Sequence, residues 1–172
     1  MIFLTAKPRT GKSTAIGIGL DNCLGFYSEE VRLDQDRVGF QIRTISGRCE
    51  VFAHVDSESN IRFGRYGVNV ELMEEVLIAE LRKALADTDN RVVVIDEIGP
   101  MQMYSDKLKE LLIELADSGK VVIGTIFFNP YQWIDEFKQR SDVELIQLTL
   151  ENRDELVGKL VSRVKNGVLL VS

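Results

Sequence analysis

The second half of this 172-residue chain alternates between apolar runs and amphipathic segments, and this alternation restricts its fold more than any other feature. The apolar runs predict strands at residues 91–96, 121–127 and 143–149. The segments between and after them predict helices at residues 105–118, 130–140 and 151–165. Apolar strands separated by helices are typical of a parallel sheet that is covered on both faces. The sequence therefore predicts an α/β fold.

The first half of the chain contains a different pattern. Residues 26–32, 38–45 and 48–55 are rich in β-branched and aromatic residues, with turn chemistry at 33–37 and 46–47. These segments predict an antiparallel hairpin or meander.

Three further elements complete the prediction. Residues 1–5 predict a short apolar strand, and residues 11–22 predict a helix that follows it through a tight turn. A helical period with charges on one face covers residues 71–87. The apolar run at residues 167–172 is left open between an edge strand and a frayed end. Since no repeat or flexible linker interrupts the chain, residues 1–172 are expected to form one domain.

The composition excludes several classes of protein. The chain has 21 Lys and Arg against 27 Asp and Glu, a net charge of −6, which disfavours nucleic acid or an anionic membrane as a partner. No apolar run approaches the roughly 18 residues of a membrane span, so a cytoplasmic location is expected. Cys23, Cys49 and the single His54 lack zinc-ligand spacing and are interpreted as structural. No protein partner is identified, and a monomer is allowed.

A phosphate-binding pattern follows the first predicted strand. The segment Ala6-Lys7-Pro8-Arg9-Thr10-Gly11-Lys12-Ser13-Thr14 matches Gly-x-x-x-x-Gly-Lys-Ser/Thr at every fixed position except the first glycine. In such a loop, backbone N–H groups face the phosphates, and Lys12 would contact the β and γ oxygens. The Ser13 hydroxyl would ligate Mg²⁺. The alternative is an ordinary helix start, which the preceding strand and the second motif disfavour.

The second motif is an apolar strand that ends in two acids, Asp96 and Glu97. In open α/β sheets, ligands bind at the carboxyl ends of the strands. Asp96 would hold the metal, directly or through a water, and Glu97 would polarise a water for attack on the γ-phosphate. A solvated turn at the strand end is the alternative.

Two residues depart from the expected phosphate loop. Ala6 replaces the first glycine, where a Cβ is expected to crowd the turn or to force a positive φ. Arg9 adds a guanidinium that could grip a phosphate, block the site or point to solvent.

Other polar residues have a functional and a structural interpretation. Arg32 and Arg140 could stabilise charge on the transferred phosphoryl group, or form ion pairs with Glu29 or Glu30 and with Asp142. Thr125 could contact the γ-phosphate or the attacking water, or satisfy the end of its strand. Asn152 and Arg153 are better explained as helix caps than as contacts to a base. For the aromatic residues, packing is favoured over base stacking; these are Phe26, Tyr27 and Tyr66.

The series of motifs resembles the thermophile-type, or cancer-related, nucleoside-triphosphatase family over nearly the whole chain. The matching segments are Gly25-Phe26-Tyr27-Ser28-Glu29-Glu30-Val31-Arg32, Gly39-Phe40, Thr44-Ile45-Ser46-Gly47, Gly64-Arg65-Tyr66-Gly67-Val68, Asp96-Glu97-Ile98-Gly99, Gly124-Thr125-Ile126, Arg140 with Asp142-Val143, and Glu151-Asn152-Arg153-Asp154. The resemblance implies a P-loop three-layer α/β sandwich, with a mixed, mostly parallel central sheet, an antiparallel hairpin portion and helices on both faces. It also implies Mg²⁺-dependent hydrolysis of several nucleoside triphosphates to diphosphate and phosphate.

The departures from the family pattern keep two alternatives open. Ala6 and Arg9 stand where the family has glycine, and Pro100-Met101-Gln102 replaces its usual Lys-Met-Glu. One alternative is a small nucleotide or nucleoside kinase, which the Asp96 and Glu97 pair disfavours. The other is a nucleotide-binding module with reduced or lost turnover.

Overall fold

The computed structural model describes residues 1–6, 22–149, 151–152 and 155–156. Nine strands form one sheet in the order β5-β6-β4-β3-β2-β7-β8-β1-β9. The strands are β1 (Ile2–Thr5), β2 (Cys23–Leu33), β3 (Asp36–Thr44), β4 (Cys49–His54), β5 (Arg62–Phe63), β6 (Tyr66–Val68), β7 (Val92–Ile98), β8 (Val122–Ile126) and β9 (Glu144–Gln147).

The helices of the described part follow the predicted alternation. They are α1 (Val70–Ala86), α2 (Asp106–Asp117) and α3 (Gln132–Lys138), with a 3-10 turn at Gln102–Tyr104. The side chains of Asn69 and Ser105 accept hydrogen bonds from the first turns of α1 and α2 and fix where these helices begin. None of the helices in the described part is long and apolar enough to cross a membrane.

Parallel pairing joins five strands, in agreement with the predicted α/β fold. β2 pairs with β7, β7 with β8, and β1 with both β8 and β9, all in parallel. In this register Ile95, Gly124 and Phe3 lie side by side. The carboxyl ends of β7, β8 and β1 therefore meet at one edge of the sheet.

The remaining strands form an antiparallel wing beyond β2. β3 and β4 continue the predicted meander, and β6 and β5 extend it. The sequence did not predict β5 and β6, because runs of two and three residues are too short to show a period of two. The wing is therefore larger than the hairpin that was expected.

The two faces of the parallel part carry separate cores. On the first face, side chains such as Phe3, Val93 and Ile95 pack in one large cluster with residues of α1, α2 and α3. The second face has a smaller cluster, in which Leu156 packs against six buried residues: Ile2, Leu4, Ala6, Val94, Ile123 and Leu148. The predicted helix 11–22, apart from Asn22, lies outside the described residues, as do most of helix 151–165 and the run 167–172.

One buried carboxylate ties the wing to the parallel part. Glu80 of α1 is 1% exposed; it accepts hydrogen bonds from the Gly25 N–H at 3.2 Å and the Ser46 hydroxyl at 2.6 Å. Gly25 has a φ of +116°, and an added Cβ would lie 2.0 Å from the Val94 carbonyl oxygen. Only glycine fits this close approach of β2 to β7.

We expect Glu80→Ala to lower the free energy of unfolding by about 1 to 3 kcal/mol, because it leaves the buried Gly25 N–H without its acceptor and removes the bond from the Ser46 hydroxyl. Glu80→Gln keeps an acceptor oxygen on a side chain of the same length, so its free energy of unfolding should fall clearly less. Urea denaturation of both variants measures the difference. Equal losses in the two variants would show that the contact to Gly25 and Ser46 does not hold the wing.

Candidate active site

The two acids of the second motif lie at the carboxyl end of β7. Asp96 is 5% exposed, and Glu97, the next residue, is partly buried. Asp96 shares the second face with Val94, and its register partner on β2 is Tyr27. The strand thus delivers one buried and one more accessible carboxylate to the edge where ligands bind in open α/β sheets.

The order of the strands sets the distance between the acids and the predicted phosphate loop. β8 lies between β7 and β1, and β1 ends immediately before Ala6. Neighbouring strands are about 4.8 Å apart, so β7 and β1 are separated by about 10 Å. That gap can hold a hydrated metal ion and phosphate oxygens between Asp96 and the loop.

Thr125 of β8 lies in this gap between the two motifs. Its register partner on β1 is Leu4, and its side chain is fully buried. The Thr125 hydroxyl donates a hydrogen bond to Oδ1 of Asp96. Thr125 thus satisfies an oxygen of Asp96 rather than only the end of its own strand.

The turn after β7 is built around Gly99. Its N–H donates to the Gln102 side-chain oxygen at 3.2 Å, and its carbonyl accepts from the Gln102 N–H at 3.1 Å. A Cβ on Gly99 would lie 3.1 Å from Gln102 Oε1 and 3.2 Å from Glu97 Oε1. The carboxylate of Glu97 therefore lies directly beside this turn.

Sequence reasoning missed this role of Gln102, which is 3% exposed. The change from the family pattern at residues 100–102 was visible, but it was interpreted as a lost acid. Its amide oxygen bonds a backbone N–H three residues earlier, a role that no charge or spacing in the sequence marks.

The predicted phosphate loop is described only at its first residue. Ala6 is 1% exposed, and its side chain packs in the second-face cluster. In the described part, positive φ angles outside glycine occur at Asn22, Asp34 and Asn90, so Ala6 adopts an ordinary backbone angle. The rest of the loop lies outside the described residues: Lys7, Pro8, Arg9, Thr10, Gly11, Lys12, Ser13 and Thr14.

The structure does not bring Arg32 to the acids. Its guanidinium Nε donates to Glu30 at 3.0 Å, and Nη1 donates to the Gln35 carbonyl at 3.1 Å. Arg32 lies five residues beyond Tyr27, the partner of Asp96, which is roughly 17 Å along an extended strand. The ion-pair interpretation describes its observed contacts.

Arg140 lies near the amino ends of the parallel strands, whereas Asp96 lies near the carboxyl end of β7. It precedes β9, and Glu144 at the start of that strand pairs with Ile2 at the start of β1. Its guanidinium contacts Asp142 at 2.7 Å and Asp117 at 2.5 Å. The bond to Asp142, followed by the bond to Asp117, raises the pKa of Arg140, and the bond from Arg140 lowers the pKa of Asp142. Its contacts therefore match the ion-pair interpretation and not a place beside Glu97.

The aromatic and polar candidates mostly have structural contacts. Phe26 is buried in the first-face core, and the Tyr66 ring packs edge-on against Phe40 at 5.1 Å. Asn152 and Thr149 hydrogen-bond reciprocally, as residues at the start of a helix do. Arg153 lies outside the described residues.

The described side chains alone would not supply all the ligands of a metal ion at the carboxyl end of β7. Within residues 1–6, 22–149, 151–152 and 155–156, no group of three or more His, Cys, Asp or Glu is arranged to hold a metal ion. Mg²⁺ usually binds through one or two carboxylates together with waters and substrate phosphates. A single buried carboxylate such as that of Asp96 fits this donor set.

Comparisons with known proteins extend over almost the whole chain. A family model described as NTPase matches residues 1–161. The nucleoside-triphosphatase THEP1 of Thermotoga sp. strain RQ2 is 36% identical over 167 residues, 95% of each chain. The crystal structure of THEP1 from the hyperthermophile Aquifex aeolicus has a TM-score of 0.82 at 33% identity and covers 96% of this chain and 99% of its own. The solution structure of a human cancer-related nucleoside triphosphatase has a TM-score of 0.80 at 31% identity, covering 97% and 98%.

We expect Arg140→Gln to keep the turnover of the wild type and to lower the free energy of unfolding by at most about 1 kcal/mol at pH 7, because the pairs are partly exposed. Asp142 has a pKa below its usual 3.8 in the folded protein, so its contribution is present above that pH and is lost as the pH falls through the lowered value. The stability difference between variant and wild type should therefore shrink below pH 3.8. Urea denaturation at pH 7 and pH 3 measures it, and loss of turnover without loss of stability would instead place Arg140 in the chemistry.

Proposed function

Because the chain belongs to the NTPase family, whose relatives carry the name nucleoside-triphosphatase, we propose that it hydrolyses nucleoside 5′-triphosphates to the diphosphate and phosphate. The family match confirms the resemblance that the motifs indicated. The finer parts of the proposal are the need for Mg²⁺, a broad base preference that includes ATP, GTP, CTP and UTP, and a cytoplasmic location.

One observation carries this proposal. The strand β7 carries Asp96 and Glu97 near its carboxyl end, close to the level of the end of β1, and Gly11-Lys12-Ser13 follows β1 in the sequence. The second-face position of Asp96 and the Glu97 carboxylate beside Gly99 provide two acids with different surroundings. Two such acids can divide metal binding and water activation between them.

The phosphate loop, residues 6–14, would bind the substrate. Its backbone amides and Lys12 would hold the β and γ phosphates. Ser13 and Asp96 would hold Mg²⁺, with Asp96 acting through a water because two strand spacings separate it from β1. When bound, the ion neutralises charge on the phosphate oxygens.

Glu97 would act on the attacking water. Its carboxylate would accept a proton as the water oxygen forms a bond to the γ phosphorus and the bond to the bridging oxygen breaks. The electron pair of that bond stays with the departing diphosphate. The turn around Gly99 and Gln102 would hold the carboxylate in place.

Broad base preference is proposed from the sequence. No segment carries an Asn-Lys-x-Asp run of the kind that reads guanine in regulatory GTPases. Of the two alternatives, the departures at Ala6, Arg9 and residues 100–102 support a nucleotide-binding module with reduced turnover. The small kinase remains distinguishable, because it would transfer phosphate to an added nucleoside.

Phosphate release from ATP, GTP, CTP and UTP, with and without Mg²⁺, tests the proposal. We expect turnover with all four nucleotides that requires Mg²⁺ and is lost in Lys12→Ala, because the variant lacks the cation that faces the γ-phosphate. Tight nucleotide binding without phosphate release would favour the binding module. Activity that survives in Lys12→Ala would come from a contaminant or from another site.

Glu97→Gln separates binding from chemistry. The amide keeps the shape of the carboxylate but cannot accept the proton, so we expect nucleotide affinity to be retained while kcat falls by roughly 10² or more. Glu110→Gln, the same change at an exposed position of α2, is the matched control and should behave as wild type. An unchanged kcat in Glu97→Gln would remove Glu97 from the mechanism.

A further inference from the structure

Thr125 lies on β8, the strand between the two motifs of the proposed site. β8 separates β7 from β1, and Thr125 is level with Leu4 on one side while it hydrogen-bonds Asp96 on the other. Its side chain is fully buried. A metal ion or phosphate group between Asp96 and the end of β1 would therefore lie beside this hydroxyl.

The direction of the hydrogen bond constrains Asp96. A threonine hydroxyl has one proton, and here it is donated to Oδ1, which must act as an acceptor. This bond restricts rotation of the carboxylate about its last torsion. Because Thr125 engages Oδ1, Oδ2 is the oxygen that would face a ligand.

We propose that Thr125 is a positioning residue that fixes Oδ1 of Asp96 and so presents Oδ2 to a water bound to Mg²⁺. This inference rests on the proposed function, since it assigns an orienting group to the metal-binding acid. Groups that orient a metal-binding carboxylate typically change metal affinity by 10- to 100-fold when they are removed.

A purely structural role predicts a different outcome from positioning. Thr44 of β3 is also buried, and its hydroxyl bonds within the β3–β4 turn to Ser46 and Arg48. Thr44→Val and Thr125→Val therefore remove a buried hydroxyl by the same substitution. Only the second removes a bond to Asp96.

The test measures the Mg²⁺ concentration that half-saturates binding of a fluorescent non-hydrolysable ATP analogue. We expect Thr125→Val to raise this concentration by roughly tenfold or more, while binding of the analogue without Mg²⁺ is unchanged. Thr125→Ser restores the donor and should stay within about threefold of wild type, and Thr44→Val should match wild type. If Thr125→Val does not fold, Thr125→Cys replaces it, because a thiol is a weak donor of similar size to serine.

The outcomes distinguish failure of the positioning role of Thr125 from failure of the proposed Mg²⁺ requirement. A wild-type Mg²⁺ requirement that Thr125→Val or Thr125→Cys leaves unchanged overturns the positioning role alone. A wild type that binds the analogue equally well with and without Mg²⁺ overturns the metal part of the proposed function and this inference with it. Equal shifts in Thr125→Val and Thr44→Val would show a general effect of lost stability and would also overturn the positioning role.

Discussion

The in-register parallel pairing of β7, β8 and β1 determines where Asp96, Thr125 and Ala6 lie. Because parallel strands end at the same edge, the residues that follow each strand are brought together although they are far apart in the chain. Asp96 and Thr125 lie near the ends of two neighbouring strands, and Ala6 follows the third. The register fixes these three at nearly the same height, and the strand spacing fixes how far apart they are.

The insertion of β8 has a chemical consequence. If β7 lay directly beside β1, the acid would be about 5 Å from the phosphate-loop strand; with β8 between them the distance is about 10 Å. A bare ion bound directly by Asp96 and by the loop suits the shorter distance, whereas a hydrated Mg²⁺ suits the longer one. The same insertion makes a residue of β8 the neighbour of Asp96, and that neighbour is a buried hydroxyl group.

The antiparallel wing uses its charges differently. Arg37 donates to the Tyr66 hydroxyl at 3.0 Å and to Glu30 at 2.8 Å, and its guanidinium lies 5.0 Å from the Phe40 ring centre. Arg32 shares the same Glu30. In this region arginine side chains link strands and turns, and Glu80 adds a bond between the β3–β4 turn and β2. The contacts of Arg32 and Arg37 are therefore structural, and neither residue lies beside Asp96 or Glu97.

Much of this architecture could be predicted from the sequence. Strands that are buried on both faces are read from continuous apolar runs, so β7 and β8 were found within two residues of their bounds. The period of α1 and its cap at Asn69 are equally local signals. What could not be predicted depends on contacts between distant segments. The bond from Thr125 to Asp96 and the place of Arg140 near the amino ends of the parallel strands both follow from the strand order, which local patterns do not contain. Gln102 was missed because its role is to bond a backbone group, and no charge marks that role.

The most direct test of the central claim is the position of the metal in crystals grown with Mn²⁺ and a non-hydrolysable ATP analogue, located by its anomalous scattering. The account predicts one peak between Asp96 and the phosphate loop, contacting Asp96 Oδ2 through a water and the Ser13 hydroxyl directly. A peak with no contact to Asp96, either direct or through one water, would contradict it.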